Sequence, residues 1–209
     1  MSAPPKTVLV ADAAEAERIR QAVRRADIAG LGPGRVIAAP AHAETLATLL
    51  ADPAVSGPVY DLPRPLTVER IGRWIEASEA ERQAGEGLLT LTLDEAGRAA
   101  SYLKFTVWPD RSSAEVGGAV RADRQNSGRS AAGAGQLFNW IFETLGVRLM
   151  GLTADVNNIR SIRMIDATGF TRMGERDCIR ADGSTRRSVY WEMSRDAWRR
   201  NRAARTGQT

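Results

Sequence analysis

Between Leu88 and Val120 the chain carries three stretches of apolar and β-branched residues, Leu88–Leu93, Ala99–Trp108 and Ser113–Val120. The short turn-rich segments Asp94–Gly97 and Pro109–Ser112 separate them, which predicts three consecutive antiparallel strands. Helical spacing frames this block. Upstream, Thr67 caps a helix on which Val68, Ile71, Trp74 and Ile75 share a face. Downstream, Leu137, Ile141 and Phe142 fall on one helical face, and Gly146 supplies a stop. A strand over 148–154, a helix from about Asn158 to Thr168 stopped by Gly169, and a hairpin turning at Asp182–Gly183 follow.

At the other end, residues 6–11 read as a short strand. Asp12 with Glu15 reads as a capping box opening a helix to about Asp27, with Ile19, Val23 and Ala26 on one face. Three glycines and a proline between Gly30 and Gly34 then break the chain, and we place a boundary there. Next come a strand over 35–39, a helix ending near Leu50 and a proline-rich loop over 52–66. That loop is long enough to be either a binding element or a solvated insertion. The order predicts an α/β (α+β) fold: a mixed, mostly antiparallel sheet with helices on its faces. Residues 1–34 are then a strand-helix extension, 35–200 the main domain and 201–209 a basic tail. An extension of that kind can lengthen the sheet, cover an edge or mediate a homodimer contact.

With 209 residues, 43% hydrophobic and 26% charged, the chain is long enough for one well-buried domain and too apolar for wholesale disorder. No stretch approaches a membrane span and the start lacks the order of a signal peptide, so the expected location is cytoplasmic. The net charge of +4 is local: five arginines from Arg195 onward face only Asp196, and the rest of the chain balances. A basic tail of this kind raises RNA or ribosome binding as one reading, with a solvated terminus as the other. One cysteine, Cys178, and one histidine, His42, exclude an internal disulfide and leave almost no means of building a Cys/His zinc site. His42 lies in a helical stretch and reads as a surface or capping residue. Cys178 reads as inert.

The stretch Gln125–Ser130, small and polar around Gly128, runs directly into the helix carrying Leu137. A helix start offers free N–H groups and partial positive charge, so this is a candidate phosphate cradle. No lysine follows, which rejects a Walker loop, and no G-x-G-x-x-G is present, which rejects a dinucleotide fingerprint.

From here four motifs in order resemble the GNAT acyl-CoA N-acyltransferase superfamily, and more closely its branch of ribosomal-protein N-terminal (alanine or serine) acetyltransferases. They are the opening segments 49–56 and 62–75, the loop at Gln125, Gly128 and Ser130, an Asn-x-x-Ser followed by Gly-Phe at Asn158, Ser161, Gly169 and Phe170, and the closing segment Ser188–Trp198. The resemblance covers roughly residues 35–200 and implies a splayed pair of central strands with acetyl-CoA between them. It implies that Gln125, Asn126, Ser127, Gly128, Arg129 and Ser130 hold the pyrophosphate, that the backbone at Gly118 and Val120 pairs with the pantetheine arm, and that Asn158 bonds that arm from its other side. No metal is implied.

For catalysis, Glu115 matches a glutamate common in the branch and is the candidate general base; the other reading is a strand carboxylate paired with an arginine. Many members place a tyrosine acid seven residues after the asparagine, where this chain has Ile165. Ser161 is the substitute donor to the departing thiolate, or only a helix cap. Tyr190 is a distant reserve acid or core. Trp74, Trp140 and Trp198 read as core, and Trp108 as packing or acceptor wall. Asp61, in the proline-rich loop, is a candidate ammonium ligand or simply solvated. The implied activity is acetyl transfer from acetyl-CoA to a primary amine, either a peptide N-terminus or a small molecule, by direct attack in a ternary complex. A catalytically weak acyl-CoA sensor or scaffold of the same fold is the alternative, and membrane and DNA partners are not expected.

Overall fold

The computed structural model describes residues 3–125, 130–180 and 183–206. Strands β1 (Arg35–Ile37), β2 (Gly87–Leu93), β3 (Ala99–Trp108), β4 (Ser113–Val120), β5 (Leu149–Asp155), β6 (Thr171–Ile179) and β7 (Thr185–Ser194) form one sheet in the order β1-β2-β3-β4-β5-β7-β6. Every neighbouring pair is antiparallel except β4 and β5, which are parallel. Helices α1 (Ala13–Arg24), α2 (Ala43–Leu50), α3 (Pro53–Ser56), α4 (Val68–Ala84), α5 (Ser130–Trp140), α6 (Ile159–Ala167) and α7 (Arg195–Thr206) complete the described residues. This is the mixed, mostly antiparallel sheet with helices on both faces that the hydrophobic pattern predicts.

Two apolar clusters hold the layers together. Ile19 and Val23 of α1, Phe138 of α5 and Trp198 of α7 pack with Phe105, Met150 and Trp191. Leu46 and Leu50 of α2 and Ile71 and Ile75 of α4 pack with Leu89, Leu91 and Tyr102. Phe105 and Tyr102 are three positions apart on one strand, so the alternation of side chains sends them to opposite faces. The N-terminal helix therefore shares its core with the central strands.

Several local expectations change. Residues 6–11 form no strand; Val8 is 70% and Val10 80% exposed. The segment is instead a strap bonded mainly to side chains, with Lys6 N–H donating to the Tyr190 hydroxyl at 3.2 Å and Thr7 N–H to Glu192 at 3.0 Å. Asp12 caps α1 by accepting from Glu15 N–H at 2.7 Å, but Glu15 does not reciprocate. Its carboxylate takes the Ser112 hydroxyl and an ion pair with Arg148, both at 2.8 Å.

Helix α1 stops at Arg24, because Asp27 caps a separate 3₁₀ turn, Ile28–Leu31. Val68 is half exposed, in the first turn of α4 and off the buried stripe of Ile71 and Ile75. The helix after α5 widens into a π turn, Ile141–Leu145, before Gly146 stops it with φ 75°. At the C-terminus α7 runs through Thr206, so residues 201–206 of the expected tail are helical, and Arg199 pairs with Glu143 at 2.8 Å.

The β2–β3 turn braces the open end of β4. Asp94 accepts Arg98 N–H at 2.9 Å and an Arg121 guanidinium N–H at 3.0 Å. The Arg98 backbone bond first, and then Arg121, hold its carboxyl far below the ordinary aspartate value. A depressed folded value means that this stabilisation is complete above the unfolded value of about 3.9 and is lost as pH falls toward the folded one. We expect Asp94→Asn to show a smaller drop in urea midpoint than wild type between about pH 4 and pH 2. Equal drops would show that the brace contributes nothing to acid sensitivity.

Candidate active site

The site begins where two strands part. Ser112, the single non-glycine residue with positive φ among those described, has its carbonyl accept the N–H groups of Arg148 and Leu149 at 2.8 and 3.1 Å. That staple aligns β4 and β5 for three pairs, Ser113–Leu149, Ala114–Met150 and Glu115–Gly151. There the parallel pairing ends. β4 stays paired to β3 as far as Val120, and β5 stays paired to β7 as far as Asp155, so the two sheet halves diverge after Glu115. Residues 116–120 therefore turn an open strand edge toward a cleft of about 450 Å³.

Sequence-predicted residues converge on this cleft. Gly118 and Val120 line it from β4. A Cβ on Gly118 would meet the Tyr102 carbonyl oxygen at 2.4 Å, so the β3–β4 approach there admits only glycine. Gln125 bridges the cleft mouth: its amide donates to the Val120 carbonyl at 2.7 Å, and its oxygen accepts from Arg160 at 2.6 Å. Asn158 caps α6, its side-chain oxygen accepting Ser161 N–H at 3.2 Å, and both residues face the cleft. The amide oxygen is thereby spent on the cap, which leaves the NH₂ half for a ligand. Ile165 is a buried, apolar part of the wall. Asn126, Ser127, Gly128 and Arg129 lie outside the described residues, and Ser130 is described only as the first residue of α5.

Glu115 stands at the apex of the split, 6% exposed, and accepts the Thr153 hydroxyl at 3.1 Å. Thr153 in turn accepts from Arg186 at 3.2 Å. Arg186 is itself buried. It donates to Ser188 at 2.9 Å and to the Pro58 carbonyl at 2.7 Å, and it stacks over Tyr60 at 4.5 Å. This side chain thus ties the proline-rich loop to the sheet. With Ala54, Val55, Pro58 and Val59 on the cleft wall, the loop is a packed element of the site and not a solvated insertion.

Several polar residues of this wall lie outside the sequence-predicted set. Arg35, Arg124 and Arg160 bring three guanidinium groups to it, and Tyr102 and Thr153 belong to the same wall. Arg124 and Arg160 had a signal, since each sits within two residues of a predicted contact, Gln125 or Asn158. Tyr102 and Thr153 had none, because only strand register brings them to the cleft.

Other candidates fall elsewhere. Tyr190 is buried beneath the N-terminal strap, accepting from Lys6 N–H and donating to Glu192 at 2.6 Å; burial pushes its phenol far above the ordinary value. His42 accepts Ala39 N–H at 2.9 Å, a capping role. Cys178 is buried against Arg186, with its sulfur 3.9 Å away. Trp140 and Trp198 are core, Trp74 is half-buried against Tyr102, and Trp108 is half-buried at the end of β3. Among the described residues no helix is long and apolar enough to cross a membrane, and no cluster of three or more His, Cys, Asp or Glu side chains could hold a metal.

Comparison with known proteins gives this geometry a family. The model of the acetyltransferase (GNAT) domain matches residues 35–171. No curated protein matches the sequence significantly. Among solved structures, RimL, a ribosomal α-N-protein acetyltransferase in complex with coenzyme A, superposes with a TM-score of 0.67 at 18% identity, covering 80% of this chain and 97% of that one. The ribosomal-protein alanine acetyltransferase of Vibrio fischeri gives 0.66 at 13%, covering 78% and 93%. MccE, a microcin self-immunity acetyltransferase in complex with acetyl-CoA and AMP, gives 0.65 at 16%, covering 78% and 94%. At such identities the superpositions speak for the fold. The family model spans well over half the sequence, and with the split sheet it shows that this chain belongs to the GNAT acetyltransferase family.

Proposed function

We propose that the protein transfers an acetyl group from acetyl-CoA to a primary amine by direct attack within a ternary complex. The observation that carries this reading is the open edge of β4 from Val116 to Val120, which faces a cleft lined by arginines and begins next to the buried carboxylate of Glu115, where β4 and β5 part. The residues present suit the donor. Strand groups from 116 to 119 on the edge that faces no neighbouring strand match the amides of a pantetheine arm, and Arg124, Arg160 and the sequence-identified loop 125–130 match a pyrophosphate.

Acetyl-CoA supplies a thioester whose carbonyl carbon is open to an amine. Glu115 takes the ammonium proton, directly or through one water, so that the nitrogen lone pair is free to attack. Thr153 holds the carboxylate in place. The N–H groups of the open β4 edge polarise the carbonyl oxygen. As the C–N bond forms and the C–S bond breaks, Ser161 donates a hydrogen bond to the departing thiolate, at the position where Ile165 offers none. The nitrogen gives up its second proton as the amide forms, and the departing thiolate takes up one proton to leave as the thiol, so that the one proton held by Glu115 is the net proton released.

The donor half of the proposal is tested by calorimetric titration of the protein with acetyl-CoA and with free CoA, on wild type and on Gly128→Glu. We expect micromolar binding by wild type and at least a tenfold loss in the variant, whose bulk and charge oppose a pyrophosphate. A folded wild type that binds neither molecule would remove the acetyl-CoA assignment.

A further inference from the structure

The N-terminal strap, residues 3–7, crosses the face of the sheet to which Glu115 points. Opposed residues of paired strands share a face, and the pairs Glu115–Gly151, Gly151–Glu192 and Thr153–Tyr190 place all five positions on one side. The Glu115 carboxylate leans over β5 on that side, where it accepts the Thr153 hydroxyl. The strap lies there too. A Cβ built on Gly151 would come within 3.5 Å of Pro5 Cγ, and Pro5 is buried. Gly151 is the residue that Glu115 pairs with in β5, one strand spacing or about 4.8 Å away.

The strap is held as a bound peptide is held. Its backbone N–H groups at Lys6 and Thr7 donate to the side chains of Tyr190 and Glu192, and the Thr7 hydroxyl also donates to Glu192. Arg111 donates to the carbonyls of Pro5 and Thr7 at 2.7 and 3.3 Å. Residues 3–10 form no strand, and Ala3, Lys6 and Thr7 are exposed. A segment anchored by one buried ring and a few side-chain bonds belongs to the low end of local stability, and it can open without unfolding the sheet beneath it.

An amine that hands its proton to Glu115 reaches the carboxylate over β5. The remainder of the acceptor then needs the surface that Pro5, Lys6 and Thr7 cover. The coenzyme side is free of this conflict, since no described residue of the strap lines the cleft beside β4.

We propose that residues 3–7 are an autoinhibitory strap: they occupy the path of the acceptor along β5 and β7, and an acceptor binds productively only when the strap lifts. The inference rests on the acetyl-transfer reading above and adds regulation to that same site. A strap that competes with the acceptor raises the apparent KM by the inverse of the lifted fraction and leaves kcat and coenzyme affinity alone.

Two variants release the strap: a chain lacking residues 1–7, and full-length Thr7→Pro, which removes both the N–H and the hydroxyl that bond Glu192. Thiol release from acetyl-CoA, with alanyl-alanine amide and 1-aminopentane as acceptors, gives kcat and KM for each form. We expect KM in both variants to fall about tenfold or more below wild type, with kcat and calorimetric CoA affinity unchanged. A synthetic peptide of residues 3–9, N-acetylated and with norleucine in place of Lys6 so that it offers no amine, should restore the higher KM of the truncated chain by competing with the amine and not with acetyl-CoA. A damaged fold does not improve binding, so a lower KM separates release of the strap from loss of structure. KM values equal to wild type or higher in both variants would overturn the strap and leave acetyl transfer standing. No thiol release by wild type or either variant, from proteins that bind acetyl-CoA, would remove the acetyl-transfer reading itself and the strap with it.

Discussion

Glu115→Gln should lower kcat by about 10²- to 10⁴-fold, the usual contribution of a positioned base, while leaving the affinity for coenzyme A at its wild-type value. The substitution is close to isosteric and keeps an oxygen that can accept from Thr153, so the point where β4 and β5 part keeps its shape. What disappears is the capacity to take a proton. Because Glu115 is 6% exposed, replacing a buried charge by an amide should not weaken the fold, and the urea midpoint should match wild type or exceed it. Thiol release under saturating amine, paired with calorimetry, separates the two effects. A variant with wild-type kcat would assign the proton to solvent and reduce Glu115 to a structural carboxylate. A variant that loses CoA affinity in step with kcat would show that the residue shapes the cleft and does not act in the chemistry.

Gly118→Ala is expected to destabilise the protein by about 1–3 kcal/mol, the range for overpacking a tight contact, and to weaken CoA binding with it. The new methyl would sit 2.4 Å from the Tyr102 carbonyl oxygen and 3.0 Å from the Leu103 side chain. The first of these is backbone, so relief requires β3 and β4 to move apart at the edge that faces the cleft. Gly117→Ala provides the control one residue away. A Cβ there meets nothing within 4 Å, and the loss of unfolded-state freedom makes it neutral or stabilising. Urea denaturation of the pair measures the contrast. Equal midpoints would show that the sheet opens at Gly118 without cost.

The sequence showed most of the ladder. Strands over 99–108 and 113–120 occupy the residues their pattern predicts, because alternation and turn chemistry are local properties that survive packing. The resemblance to the GNAT family grouped Gln125, Asn158 and Ser161, and all three line one cleft in the structure. The local pattern misread residues 6–11, where an apolar, β-branched run satisfies its backbone on Tyr190 and Glu192 and pairs with no strand. Those partners lie more than 180 residues away, and no local pattern reports them.

What the chain determined by itself was the order and kind of most of its elements, because alternation, helical spacing and turn residues are local. Tertiary structure decided where β4 and β5 separate, because the three-pair limit of their contact depends on the Ser112 staple and on each strand's loyalty to its other neighbour. It also decided which hydroxyls and charges look into the resulting cleft. Arg186 meets the proline-rich loop at Pro58 and Tyr60 only after strand register and the packing of that loop are fixed. The cleft wall is therefore a property of pairing across distant segments, which a single linear pattern does not encode.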